Sequence, residues 1–381
     1  MQLQHCLMLL ASAVSFSGTC LADVKQLIPR NMHEKVEMIS TGSGLFSLEL
    51  ETTLYIPPGA GPFPLVVINH GKAFGNPRFD PRARYPVISR EFLKRGYLVA
   101  IPMRSGYSKS GGSNIDSGCN TESNGYLQAK DISAALGKLL ERPDVDKNQV
   151  LLIGQSYGGI ASIAVGATNP PAVKGIINFA GGIKRTEMTC LWEQALIDAF
   201  AAYGKKSRLP TLWFYGDNDS YWGAELPKKM HAGYLAAGGK AQLVSYGVFS
   251  DGDAHNMMSS ARGISIWLPE AEKFLSELGM PTKEVFEVEV TPRPPKTNFA
   301  ELSDVAAVPY LDSNRRESYK KFLSQPYPRA FAIAKTGNVG WAYEGVDPLG
   351  RALSNCESYA KTSCTLYAVD DDVVWDASAS K

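Results

Sequence analysis

The chain has 381 residues, 44% hydrophobic and 20% charged, which supplies material for a sizeable core and excludes an intrinsically disordered chain. Its 39 Lys and Arg against 38 Asp and Glu leave a net charge of +1, so electrostatics offers no case for nucleic acid or an anionic membrane as partner. No run of apolar residues is long enough for a spanning helix.

The N-terminus predicts an export signal. Leu7 to Phe16 form an apolar stretch, followed by small residues and Cys20-Leu21-Ala22, which suits cleavage after Ala22 and a mature start at Asp23. Met1 to Gln4 carry no Lys or Arg, which departs from the usual signal, and a buried N-terminal helix is the competing reading. A lipidated Cys20 is disfavoured, because Ser17-Gly18-Thr19 places no aliphatic residue three positions before it.

Lys35 to Ile39 and Leu45 to Ile56, joined by Thr41-Gly42-Ser43-Gly44, predict an antiparallel hairpin at a sheet edge. Short apolar runs follow at 65–69, 98–102, 150–154, 175–179, 211–215 and 242–246. Continuous runs of this kind suit parallel strands buried on both faces. Helical stretches lie between them at 123–141, 158–167, 190–203, 224–237 and 265–278. The alternation defines an α/β class with a doubly wound, mostly parallel sheet. Residues 281–297, rich in Pro and ending Thr291-Pro292-Arg293-Pro294-Pro295, predict a stiff linker. The expected organisation is signal 1–22, catalytic domain 23–280, linker 281–297 and a small α+β module 298–381. In that module strands are expected at 331–334 and 364–369 and a helix at 348–360.

Of six cysteines, Cys6 and Cys20 fall in the signal, leaving Cys119, Cys190, Cys356 and Cys364. An even number in an exported chain suggests two bridges, with Cys119–Cys190 and Cys356–Cys364 favoured over four separate thiols. There is no C-x-x-C, so zinc and thioredoxin-like readings are weak. The run Asp370-Asp371-Asp372 reads as a solvated turn, with a calcium site as the alternative.

The chemistry centres on Gly154-Gln155-Ser156-Tyr157-Gly158, a G-x-S-x-G between a strand and a helix. That context defines a nucleophile elbow, in which a sharp turn exposes the serine hydroxyl and the helix N-terminus faces the reacting oxygen. Serine needs a base, and the topology places acid and base after the nucleophile. Only His231 and His255 lie downstream; His255, in a polar loop after the last strand, is the candidate base, and His231 reads as a solvated helix residue. Gly216-Asp217-Asn218-Asp219 follows a strand and offers two acids, Asp217 and Asp219. Tyr157 would give one oxyanion-hole amide, and the loop His70-Gly71-Lys72-Ala73-Phe74-Gly75 the other.

With these pieces in order, residues ~34–280 resemble the α/β-hydrolase superfamily, and within it dienelactone-hydrolase-like proteins. The resemblance rests on His70-Gly71, Arg104-Ser105-Gly106-Tyr107-Ser108, Gly154 to Gly159, Gly216 to Asp219 and Gly252-Asp253-Ala254-His255. It implies Asp219 as acid, with Asp217 shaping the turn, Lys72 as the second amide donor, and His70 as a structural residue. The dienelactone hydrolases proper use a cysteine where this chain has Ser156, which favours ordinary ester hydrolysis. The expected chemistry is an acyl-enzyme mechanism with no metal or organic cofactor. Peptidase or acyltransferase action, and an inactive binding protein, are the alternatives. The segment 183–208 would cover a pocket walled by Trp192, Leu191, Tyr221 and Trp222, with core or cap packing as the competing role. Arg104 would stabilise a turn or bind an acidic substrate group. The expected partner is a small-molecule or polymer ester; the C-terminal module is similar to small modules of exported bacterial proteins and could bind an unknown partner.

Overall fold

The structure, a computed structural model, describes residues 25–42, 47–114, 116–185 and 190–376. The expected export signal lies outside the described residues, as do part of the hairpin turn and part of the expected pocket cover.

After β1 (Gln26–Ile28) comes the antiparallel hairpin of β2 (Glu34–Thr41) and β3 (Leu48–Tyr55). Strands and helices then alternate: β4 (Phe63–Asn69), α1 (Pro86–Lys94), β5 (Leu98–Pro102), α2 (Thr121–Leu139), β6 (Val145–Gln155) and α3 (Tyr157–Gly166). The second half continues with β7 (Val173–Phe179), α4 (Trp192–Lys206), β8 (Pro210–Tyr215), α5 (Leu226–Ala236), β9 (Lys240–Ser245) and α6 (Ile264–Glu277). One sheet holds eight of these strands in the order β2-β3-β5-β4-β6-β7-β8-β9. The two pairs involving β3 are antiparallel and the rest are parallel.

The apolar runs are continuous because both faces are covered. In β4, Leu65 and Val67 face a cluster shared with α2, α3, α4 and α5, whereas Val66 and Ile68 face one shared with α1 and α6. Helix α2 starts where Asn120 accepts from the amide of Ser123, and it buries Ile132, Leu136 and Leu139. Helix α1 is not anticipated from the sequence. It opens on Pro86 and buries Val87, Ile88, Phe92 and Leu93, an apolar face hidden behind loop-like Pro and Tyr residues.

The chain switches sides about β4: β5 lies on one side of it and β6 on the other. The carboxyl ends of β4 and β6 are therefore neighbours, with Asn69 in register with Gly154. A crevice at such a switch point is where doubly wound sheets place ligands.

The segment expected as a stiff linker is tied at both ends. Its β10 (Phe286–Val288) pairs in parallel with β1. Glu284 sits against Lys25 and Lys94. Burial opposes ionisation there, yet hydrogen bonds from the two ammonium groups hold its carboxyl down at about 2. Further on, Arg293 pairs with Asp370 and Asp372, and the Thr297 amide donates to the Val373 carbonyl.

Beyond it lie α7 (Ser313–Leu323), β11 (Arg329–Ile333), β12 (Val339–Tyr343), α8 (Pro348–Ala360), β13 (Thr365–Val369) and β14 (Asp372–Val373). They build an antiparallel sheet of order β12-β11-β13-β14. Helix α7 is strongly polar and buries only Tyr319 and Phe322, which is why the sequence does not reveal it. Helix α8 packs on β12, where a Cβ at Gly340 would meet the Cys356 nitrogen at 2.1 Å. The bridges are Cys119–Cys190 and Cys356–Cys364. The aspartate run is not a bare solvated turn: Asp370 and Asp372 hold Arg293, Asp372 also holds Lys296, and Asp371 faces Arg329.

Candidate active site

Ser156 stands between β6 and α3 at φ 55°, ψ −121°. A non-glycine residue at positive φ costs on the order of 1–3 kcal/mol and persists only where its surroundings impose it. The surroundings here are backbone against backbone. A Cβ at Gly154 would lie 2.1 Å from the Gly158 carbonyl oxygen, and one at Gly158 would lie 1.9 Å from that of Asn69. The two glycines of the motif thus permit a turn that no side chain would fit. Buried polar groups brace it: Asn69 Nδ2 donates to Ser162 Oγ, which donates to the Gly158 carbonyl. Asn178 Nδ2 donates to the Tyr215 hydroxyl, which donates to the Gly181 carbonyl.

His255 lies in a short 3-10 turn over Ala254–Ser259, after β9. Its Nδ1 is 3.0 Å from Asp219 Oδ2. Asp219 is buried and also accepts from the amides of Tyr221 and Trp222 at 2.9 and 3.2 Å, so its lone pairs are fixed. Of the two acids left open by the residues, Asp219 is the one placed against His255, whereas Asp217 is exposed. The imidazole is covered by the Tyr221 ring at 4.3 Å, and Gln155 Nε2 donates to the His255 carbonyl. Asp253 accepts from the amides of His255 and Ser220 and from Ser220 Oγ. Burial works against its charge, but these bonds hold its carboxyl below the ordinary value.

The loop after β4 is locked beside the serine. A Cβ at Gly71 would meet Gln155 Oε1 at 2.4 Å and Ser156 Cβ at 3.3 Å. The Gly71 amide donates to the Tyr85 hydroxyl. His70 donates from Nδ1 to the Gly71 carbonyl and accepts at Nε2 from the Arg104 amide. Burial, helped by the Arg104 charge, pushes its pKa well below the usual imidazole value, so it is a neutral strut.

Arg104 is not available to substrate. It is 1% exposed, and its guanidinium donates to the His70 and Gly71 carbonyls and to Gln128 Oε1. The other expected pocket residues separate. Tyr221 and Trp222 line the cleft. Trp192 stands behind Trp222, with ring centres 6.3 Å apart, and Leu191 is exposed. His231 is not simply solvated: its Nε2 is 3.1 Å from the Ala241 carbonyl and its ring abuts Trp213.

Ser156 lies at the junction of two lobes. One, of about 510 Å³, is lined by His255, Asp253, Asp80, Tyr85 and Met103 among others. The other, of about 540 Å³, is lined by Tyr157, Lys184, Tyr221, Trp222 and the loop 72–75. Lys72 and Ser220 border both. Tyr85, Gln155, Ser220 and Lys184 were not singled out from the sequence; only Gln155 carried a local signal, its place inside the pentapeptide. Among the described residues, no group of His, Cys, Asp and Glu has the arrangement of a metal centre.

Strand order, the elbow and loops at the carboxyl ends of the strands define the class: the chain has the α/β-hydrolase fold. Residues 47–215 match the family model of the X-Pro dipeptidyl-peptidases (S15 family). Among solved structures it is similar to a Klebsiella pneumoniae protein assigned as a dienelactone hydrolase, with 16% identity, 64% of this chain and 99% of that one covered, and a TM-score of 0.43. It is also similar to esterase Pf2001 of Pyrococcus furiosus, with 15% identity, 65% and 94% covered, and a TM-score of 0.46. For the acylaminoacyl peptidase of Pyrococcus horikoshii the figures are 15% identity, 67% and 42% covered, and 0.48.

Proposed function

We propose that the protein is a serine hydrolase that cleaves carboxylic esters through an acyl-enzyme. The observation that carries this reading is a serine held at positive φ on an elbow, with His255 lining the same cleft and buried Asp219 behind it, 3.0 Å from its Nδ1. His255 takes the Ser156 proton as Oγ attacks the carbonyl carbon. Asp219 fixes the imidazole tautomer and stabilises the imidazolium without taking the proton. The amides of Tyr157 and Lys72 hold the oxyanion. His255 returns the proton to the leaving alcohol, and water then releases the acid.

The family model supports a second reading, cleavage of a peptide bond by the same groups. Export is part of the proposal: two disulfides suit an oxidising compartment, and among the described residues no helix is long and apolar enough to cross a membrane.

The test is turnover of 4-nitrophenyl acetate, butyrate and octanoate beside that of aminoacyl-proline 4-nitroanilide. Ester turnover that falls roughly a million-fold in Ser156→Ala establishes the esterase. Selective cleavage of the anilide transfers the reading to a peptidase. A folded protein that cleaves neither, and does not react with a fluorophosphonate, overturns both.

A further inference from the structure

The two lobes that meet at Ser156 differ in charge. Asp80 and Asp253 line the lobe that contains His255. Lys72 borders both lobes, whereas Lys184 lines only the other, which has no carboxylate among the residues that line it. Both lysines are half-buried, and neither forms an ion pair with a described residue. Their ammonium groups are held against aromatic rings instead. Lys72 Nζ lies 5.6 Å from the centre of the Tyr157 ring. Lys184 Nζ lies 5.4 Å from that of Trp192 and 5.8 Å from that of Tyr221, and it donates to the Tyr221 carbonyl at 3.4 Å.

A ring face steadies an ammonium group but does not neutralise it. Two such groups on a concave wall focus a positive field into the lobe, which raises the local concentration of an anion and orients it. In the opposite lobe Asp80 and Asp253 outweigh Lys72, so the balance of charge disfavours the same anion there. Arg104, the cation that the sequence offers for this task, is consumed by the His70–Gly71 loop. The lysines remain.

We propose that the lobe bounded by Lys72 and Lys184 is an anion subsite, and that the protein acts on esters bearing a carboxylate or similar anionic group several bonds from the scissile carbonyl. The proposal rests on the serine-hydrolase reading for its reaction, but the subsite is testable without turnover. Lys184 is a positioning residue here: it holds the distal charge and takes no part in bond-making.

Two matched ester pairs distinguish the side that carries the charge. The 4-nitrophenyl monoester of adipic acid against 4-nitrophenyl hexanoate places the anion on the acid side. 4-Acetoxybenzoate against 4-methylphenyl acetate places it on the alcohol side. In at least one pair the anionic member is expected to have about tenfold higher kcat/KM, through KM, with the advantage shrinking as salt rises from about 0.05 M to about 0.5 M. Lys184→Met removes that advantage, so that the anionic and neutral members of the pair converge in kcat/KM, whereas Lys184→Arg keeps it. The salt dependence of the parent protein reads the same property if Lys184→Met does not fold.

Calorimetric titration of Ser156→Ala with the intact adipate monoester and with 4-nitrophenyl hexanoate separates the two proposals. Preferential binding of the anion without turnover in the parent overturns the hydrolase reading and keeps the subsite. Equal binding of both members, no binding of the anion, or an anion advantage insensitive to Lys184 overturns the subsite.

Discussion

The hydrolase unit and the C-terminal unit fold by different means. The first buries large apolar clusters on both faces of an eight-stranded sheet, so strand–turn–helix geometry at its carboxyl edge is imposed by tight backbone packing. The second has a four-stranded sheet with two small clusters, one rich in alanine, and supplements them with a bridge and surface ion pairs. A large core can hold a strained serine and buried polar groups in place; a thin one relies on staples. The proposed chemistry accordingly resides entirely in the first unit.

The sharpest way to break this comparison is to disturb a buried polar contact that the large core positions. Asp219→Asn keeps the shape but offers His255 an amide, which favours the wrong tautomer. Turnover of a 4-nitrophenyl ester is expected to fall about ten-thousand-fold. Asp217→Asn, on the exposed neighbour, is expected to leave it unchanged. Equal effects from the two substitutions would remove Asp219 from its assigned role.

The bridges come next. Cys119–Cys190 spans 71 positions and Cys356–Cys364 spans 8. By chain entropy alone the first contributes about 4 kcal/mol and the second roughly 2–3 kcal/mol. Cys119→Ser with Cys190→Ser is thus expected to lower the urea midpoint of the hydrolase unit more than the corresponding pair of changes lowers that of the tail. Separate fluorescence reporters in each unit check this. The reverse order would mean that the tail depends on its staple beyond the entropy of one short loop.

These contrasts also set what was legible in the sequence. The elbow is a local signal: five residues between an apolar strand and a helix define it. His255 was the candidate base because it had one rival, whereas the turn alone left Asp217 and Asp219 open and only the resemblance pointed to Asp219. The α/β alternation was legible because both sheet faces are buried. What was hidden depends on distant partners. The tail's α7 is too polar to show a periodicity, and β10 becomes a strand only by pairing with β1, far away in the chain. His231 is packed because Trp213, on another element, lies against it. Arg104 reads as a turn-stabilising residue or a substrate cation, and only its bonds to the distant His70 and Gly71 carbonyls decide for the first. Lys184 gains meaning only when the fold brings it to the same lobe as Lys72.

The smallest expected effects concern how each unit uses charge. His70 is buried and neutral, with a folded pKa depressed by burial and by Arg104. Below its unfolded value the unfolded chain binds a proton that the native state refuses. Stability from this group is therefore intact above about pH 6.5 and falls, as pH drops towards the folded pKa, by about 1.4 kcal/mol per pH unit. His70→Gln should flatten that slope for the hydrolase unit, with little response to salt. In the tail, Arg293 bridges Asp370 and Asp372 at the surface, and hydrogen bonds from Arg293 and Lys296 hold the Asp372 carboxyl below its ordinary value. Arg293→Ala is expected to cost the tail no more than about 1 kcal/mol, less at high salt, because exposed pairs are screened. Urea titrations of both variants at two pH values and two salt concentrations test the contrast. A salt-sensitive His70 effect, or a salt-insensitive Arg293 effect, would show that the two units do not divide buried from exposed electrostatics in this way.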